Sequence, residues 1–243
     1  MPELNILFED RDLLVAYKPA GVESESARGL ASDMVNMIKN HLAASDRSGE
    51  PYVGVVHRLD KPVEGVMVFA KTKEAAAALS REIADGNMKK KYRAVLCGQP
   101  AELSGTLTDW IRQDVKTNFS EVTKENAPGA KKAVLKYRVI LRKYIEGERI
   151  SEAEIELLTG RHHQIRVQFS SRGLPLLGDR KYNPAYGRKD EKGRTVPPSG
   201  LCGKPCGENL ALCAVSLSFV HPKSRKPMHF ECRPQGAAWK LLN

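Results

Sequence analysis

Two short apolar runs open the chain, at 6–8 and 13–17, and the polar stretch Glu9-Asp10-Arg11-Asp12 between them predicts a β-hairpin. Lys18-Pro19-Ala20-Gly21 then breaks the second strand. Leu30, Met34, Met37, Ile38 and Leu42 recur at three- and four-residue steps, which predicts a helix over 30–42 followed by a loop over 45–49. Two β-prone runs, 53–56 and 66–70, bracket His57-Arg58-Leu59-Asp60-Lys61-Pro62, so those polar groups fall at a strand end or in a loop. Alanine and other helix formers fill 73–85, and Gly86 is placed to end that helix in a left-handed conformation.

The second half of the chain reads mainly as strands. They are expected at 90–97, 132–142, 149–158, 210–219 and 228–233, the last two linked by a turn at His221-Pro222. In the 149–158 strand Ala153, Ile155 and Leu157 alternate with Glu152, Glu154 and Glu156, the pattern of a half-buried strand with one solvated face. Ile165 and Phe169 lie four apart ahead of Gly173-Leu174-Pro175, which predicts a short helix over 162–172. Residues 183–208 are rich in glycine, proline and charge without apolar periodicity and are expected to form a mobile surface insertion. Hairpins with a few helices packed against them define an α+β class.

With 243 residues, 41% of them hydrophobic, the chain is expected to bury a substantial core as a single domain over 1–243, or as one domain plus a small appendage. Lysine and arginine number 39 against 29 acidic residues, a net charge of +10 that makes nucleic acid the leading partner class. Five scattered cysteines, an odd number, do not resemble a secreted disulfide framework, and Met1-Pro2-Glu3-Leu4 does not begin a secretory leader. No segment approaches the roughly 18 uninterrupted apolar residues that a membrane-spanning helix needs. A cytoplasmic monomer with no obligatory protein partner is the resulting expectation.

Two stretches concentrate chemistry. If His57-Arg58-Leu59-Asp60 is extended, Arg58 and Asp60 project from one side, either as an ordinary surface ion pair or as part of a site. Thr159-Gly160-Arg161-His162-His163-Gln164-Ile165-Arg166 packs polar and cationic groups at a helix start. Positive charge there opposes the helix dipole and calls for an anion, either a phosphate or a buried carboxylate. Cys202 and Cys206 stand close together, but structural zinc needs four ligands and no second pair is evident, so no metal site is expected. His57, His162 and His163 are read as hydrogen-bonding groups rather than ligands.

Taken in order, Lys18-Pro19-Ala20-Gly21, His57-Arg58-Leu59-Asp60, Lys91-Tyr92-Arg93-Ala94 and the 159–166 stretch resemble the pseudouridine synthases of the RluA/RsuA kind. Gly178-Asp179-Arg180-Lys181-Tyr182 and His221-Pro222 extend the resemblance, which runs from about Leu4 to Arg233 around the 183–208 insertion. It implies a pseudouridine synthase fold, with a central, mainly antiparallel mixed sheet flanked by helices and an RNA-binding cleft. It implies that Asp60 is the catalytic aspartate and that Arg58 enters the RNA stack in place of the flipped nucleotide. By the same resemblance Tyr92 stacks on the uracil and assists proton removal, Arg166 pairs with the catalytic carboxylate, and Lys18, Arg161 and Gln164 line the RNA cleft.

The implied reaction breaks the bond from ribose to uracil nitrogen, rotates the base, rejoins it through carbon 5 and removes the proton from that carbon. Asp60 would either attack the anomeric carbon or abstract a ribose proton. Extruding a base from structured RNA, ribosomal or transfer, costs about a few kcal/mol, which phosphate and stacking interactions must offset. No redox step or phosphoryl donor is involved, so no cofactor is expected.

The chain departs from the family pattern in three places. Val63-Glu64-Gly65 stands where Thr-Ser-Gly is common and Cys213 where a histidine is frequent, and the protein is expected to lack the separate N-terminal RNA-binding module of many members. Two other readings are a non-catalytic RNA-binding or chaperone module of the same fold, and a hydrolase, which would need a second carboxylate such as Glu64.

Overall fold

The computed structural model describes residues 3–26, 33–45, 49–186, 200–203 and 210–242. In chain order its elements are β1 (Asn5–Glu9), β2 (Leu13–Lys18), α1 (Met34–Ser45), β3 (Gly54–Val55), β4 (Glu64–Ala70), α2 (Lys73–Ala84) and β5 (Lys89–Cys97). There follow β6 (Ser104–Asp114), β7 (Phe119–Thr123), β8 (Lys131–Ile145), β9 (Glu148–Leu157), α3 (Gln164–Ser170), β10 (Leu212–Val220) and β11 (Pro227–Glu231). They fall into two compact units, Met1–Lys90 with Cys213–Gln235, and Lys91–Leu212 with Gly236–Asn243.

In the first unit the expected hairpin forms, with β1 antiparallel to β2. β4 then pairs antiparallel with β2 and parallel with β10, and β10 pairs antiparallel with β11. The sheet is therefore mixed and mainly antiparallel, as the resemblance implies. Every residue of β2 and of β4 is buried, which explains their nearly unbroken apolar sequences. Leu13, Val15, Val66 and Val68 form the core with Ala75 and Leu79 of α2.

Helix α2 starts where Thr72 Oγ1 accepts the Ala75 N–H at 3.1 Å and ends before Gly86, whose φ is +70°. Helix α1 is capped by Asp33, whose carboxylate accepts the Asn36 N–H at 2.8 Å. The expected helical start at Leu30 lies outside the described residues, as do 46–48 of the expected loop.

The second unit pairs β5 with β9, β9 with β8, β8 with β6 and β6 with β7, all antiparallel. The apolar pattern does not predict the β6–β7 hairpin. In β6 the inward residues Leu107 and Ile111 are separated by Asp109, whose carboxylate accepts from Gln168 and Arg172. A charged residue at an inward position erases the period-two signal.

The expected solvated face of β9 also needs correction. Glu152 is 5% exposed and pairs with Arg93 at 2.6 Å; burial raises its carboxyl pKa and the guanidinium opposes that shift. The 149–158 glutamates are thus not equivalent, because one of them faces a cation across the β5–β9 ladder. The 183–208 insertion lies mostly outside the described residues. At its described edges Asn183 is buried and donates its side-chain amide to the Cys202 carbonyl at 2.9 Å.

Candidate active site

Asp60 sits in the loop between β3 and β4, so the extended arrangement considered for 57–60 is replaced by an irregular one. The reason is the turn that follows: the Asp60 carbonyl accepts the Val63 N–H at 2.9 Å across Lys61-Pro62. Neighbouring segments hold this loop at three points. Ser24 Oγ accepts the Leu59 N–H at 3.1 Å and donates to the Leu59 carbonyl at 2.8 Å. The Lys61 carbonyl accepts from the Gly21 N–H at 2.8 Å and from the Lys18 ammonium at 3.2 Å. His57 Nε2 accepts the Val68 N–H of β4 at 3.2 Å. Leu59 is buried while Arg58 is exposed and Asp60 half-buried, so the loop turns its apolar residue inward and its two charged ones toward solvent.

Lys18, expected to line the RNA cleft, is fully buried. Its ammonium donates to the carbonyls of Pro19, Val22 and Lys61 at 3.0, 2.6 and 3.2 Å. Burial lowers its pKa to about 7, opposed by the charges of Asp60, Glu64 and Glu23. Its position ties the Lys18-Pro19-Ala20-Gly21 turn to the Asp60 loop and sets a cation within electrostatic reach of the Asp60 carboxylate.

Glu64 is turned inward. It accepts from the Tyr17 hydroxyl and, at 3.3 Å, from the Gln235 N–H, and it is 3% exposed. Burial first, and the Glu64 carboxylate second, push the Tyr17 phenol pKa up. The extra negative charge that Glu64 brings to this stretch thus meets the Tyr17 and Gln235 donors. Turned inward and hydrogen-bonded there, it is not available as the second carboxylate a hydrolase would need beside Asp60.

In the second unit Tyr92 is buried on β5 opposite Ile155. Arg166, on α3, makes a bidentate pair with Asp179, Nε to Oδ2 and Nη2 to Oδ1 both at 2.8 Å, and lies 5.0 Å from the centre of the Tyr182 ring. Arg166 and Asp179 are both buried. Asp179 Oδ1 also accepts the Lys181 and Tyr182 N–H groups at 2.9 and 3.1 Å, so the carboxylate that orients Arg166 is itself fixed. Of the two anions that could answer the charge of this helix start, the second unit supplies the buried carboxylate.

No sequence feature gives Asp179 a role, although it falls within the Gly178-Asp179-Arg180-Lys181-Tyr182 motif. Its only signal is a carboxylate downstream of an arginine-rich helix start, and their convergence is a product of the fold. Gln164 is buried: its side-chain oxygen accepts from Thr159 Oγ1 at 2.8 Å and the Arg161 N–H at 3.0 Å, and its nitrogen donates to the Val134 carbonyl. Arg161 is exposed, with its Nε donating to the Lys132 carbonyl at 2.8 Å.

Two clusters outside these motifs have ordinary roles. His221 Nδ1 accepts from the backbone N–H groups of Lys223 and Ser224, so Nε2 carries the proton and donates to Asp10 at 2.8 Å. This is a clamp between turns, although Asp10, Asp12 and His221 are close enough to offer a cation three ligand atoms. Cys202 is hydrogen-bonded to the Cys97 thiol, which with burial raises its pKa; Cys206 lies outside the described residues. Among the described residues no helix is long and apolar enough to cross a membrane.

The fold built from these elements is one already known from solved structures. The chain is similar in fold to the human RNA pseudouridylate synthase domain containing 4 protein, with TM-score 0.74 and 21% identity over 98% of this chain and 92% of that one. It is likewise similar to the domain containing 1 protein, with TM-score 0.69 and 22% identity over 96% of this chain and 84% of that one.

The RNA pseudouridylate synthase family model matches residues 12–171, and the chain belongs to that family. It is 35% identical over 231 residues to the ribosomal large subunit pseudouridine synthase D of Zymomonas mobilis, covering 94% of this chain and 68% of the relative. It is 34% identical over 242 residues to the protein of that name from Neisseria meningitidis serogroup B, covering 99% of this chain and 60% of the relative. The protein is accordingly an isomerase acting on RNA, and a non-catalytic RNA-binding role is not favoured.

Proposed function

We propose that this protein converts uridine to pseudouridine in ribosomal RNA and that Asp60 is the carboxylate acting on the ribose. The observation that carries this reading is the Asp60 loop, held by Ser24, Lys18 and the β4 backbone, with a buried ammonium in electrostatic reach of a half-buried carboxylate. A carboxylate that must react while partly desolvated needs such a nearby cation to stay ionised. Arg166, oriented by Asp179, is the further guanidinium that the family pattern assigns to the catalytic carboxylate, and Tyr92 is the ring assigned to the uracil. Arg58, exposed beside Asp60, is assigned to the space left by the flipped nucleotide. Arg161 is placed to meet RNA phosphate from the surface, whereas Lys18 and Gln164 act by holding the loops that do so.

Ribosomal RNA as the substrate is supported by the names of the relatives from Zymomonas mobilis and Neisseria meningitidis. The match over 12–171 spans parts of both compact units, which supports their serving one catalytic domain. We further propose that the protein works as a monomer in the cytoplasm, and that it needs no metal or cofactor, because the isomerisation exchanges a ribose–nitrogen bond for a ribose–carbon bond and moves one proton, with no redox step and no group donor.

The test is to incubate the protein with ribosomal RNA lacking modifications and to map pseudouridines, with the Asp60→Ala protein alongside. New pseudouridine at one or a few uridines is expected with the intact chain and none with the variant, while RNA binding persists in both. Equal product from the Asp60→Ala protein would overturn the assignment.

A further inference from the structure

Four of the five cysteines lie among the described residues, and none of them is in a disulfide. Two of these, Cys213 of β10 and Cys232 just past β11, belong to the first unit and place their sulfurs 4.0 Å apart. The sheet brings them together. Ser216 stands opposite Glu231 where β10 pairs with β11, and the ladder runs one residue further because the Cys232 N–H donates to the Val215 carbonyl at 2.9 Å. Cys232 is therefore opposite Val215 and diagonal to Cys213. Alternate residues of a strand share a face, so the two thiols lie on the same side of the ladder.

The two residues differ in access. Cys213 is fully buried, whereas Cys232 is partly exposed and donates its thiol to the Ala214 carbonyl at 3.4 Å. A thiol that solvent reaches, backed by an enclosed one, is arranged so that the first meets an oxidant and the second displaces it. The pair is a property of this chain, since a histidine is frequent in the family at the position of Cys213.

We propose that Cys213 and Cys232 form a reversible disulfide by exchange with a small-molecule disulfide such as that of glutathione. The Cys232 thiolate attacks one sulfur of the small disulfide and releases the first small thiolate. The Cys213 thiolate then attacks the Cys232 sulfur and releases the second. The protons given up by the two cysteines end on the two small thiols, and the two-electron oxidation of the protein is balanced by reduction of one small disulfide. A reducing compartment keeps the pair open, and an oxidising excursion closes it.

Closure acts on the Asp60 loop. A disulfide needs its sulfurs about 2.05 Å apart, so the pair must draw together by about 2 Å. Cys213 stands opposite Glu64 where β10 runs parallel to β4, and Gln235, just beyond Cys232, donates its N–H to the same Glu64 at 3.3 Å. Glu64 begins β4 directly after the turn closed by the Asp60 carbonyl and the Val63 N–H. The link therefore shifts two supports of the residue from which the loop springs. Misplacing a reacting group by about 1 Å costs up to about a hundredfold in rate, so the oxidised protein is the slower isomerase. This last step rests on the functional reading above.

The test incubates the full chain with glutathione disulfide and digests it without reductant. Tandem mass spectrometry of the cross-linked peptides should place a bond between residues 213 and 232, and dithiothreitol should remove it. Cys232→Ser keeps a donor for the Ala214 carbonyl and should form no link at residue 213. Oxidised intact protein should make pseudouridine at least about fivefold more slowly and recover with dithiothreitol, while Cys232→Ser keeps its rate in glutathione disulfide. Glutathione retained on Cys232 with no internal link, or a bond joining other cysteines in its place, would overturn the site. A linked protein with full rate, or an equal loss of rate in Cys232→Ser, would overturn its action on the loop. The bond is read by mass alone, so a reduced protein that makes no pseudouridine counts against the functional reading and not against the dithiol.

Discussion

At the scale of single residues, three ionisable side chains are held in states their sequence neighbours do not suggest. Lys18 is a buried amine whose pKa burial pulls down to about 7, Glu64 a buried acceptor and His57 a neutral ring with an enclosed Nδ1. The His57 state has a consequence for stability. Burial holds its pKa at about 3, against an ordinary 6.5, so between those values the unfolded chain binds a proton that the folded chain refuses. Stability is therefore complete above the unfolded value and falls as pH drops toward the folded one. Urea unfolding at pH 7 and pH 4.5 should show the intact protein losing roughly 2–3 kcal/mol more than His57→Gln over that interval. Parallel losses in the two proteins would mean that the ring is solvated.

At the scale of elements, the Asp60 loop is set by the strands on which it rests. Gly65 lies where β4 meets β10 in parallel register, opposite Ala214, with φ +132°. A Cβ there would lie 2.3 Å from the Ala214 carbonyl oxygen. Both the backbone conformation and the close approach exclude a side chain. Gly65→Ala is expected to destabilise the protein by about 3 kcal/mol or more, by strain and a forced shift of β10, with activity falling alongside. Thermal unfolding and the pseudouridine assay check this together, and a variant with an unshifted melting temperature would contradict the packing described.

Elements differ in how readily the sequence announces them. The helix at 73–84 is legible because Thr72, an alanine run and Gly86 agree on its limits. The β6–β7 hairpin is not, because Asp109 occupies an inward position and is neutralised by Arg172, just beyond α3, a partner 63 residues away. Glu152 departs from its expected exposure for the same reason: its acceptability inside depends on Arg93 in the neighbouring strand.

At the scale of the whole molecule, the net charge of +10 is what RNA meets first. Affinity for RNA should fall roughly a hundredfold between 50 and 200 mM salt if about five phosphates are neutralised. A binding titration across that range checks it, and a flat response would mean that the positive excess lies away from the RNA path.

The sequence by itself determined the class of fold, the order of most strands and helices, and the family to which the chain belongs. Apolar periodicity, turn residues and short motifs are local properties and survive without knowledge of what folds against them. Only the tertiary structure decided what each charge does. It paired Asp179 with Arg166, Tyr17 with Glu64 and three carbonyls with Lys18, and left His57 Nδ1 with no acceptor among the described residues. A buried charge or donor is defined by the partners that reach it in space; Tyr17 stands 47 residues from Glu64, and one of the three Lys18 acceptors, Lys61, stands 43 residues from it.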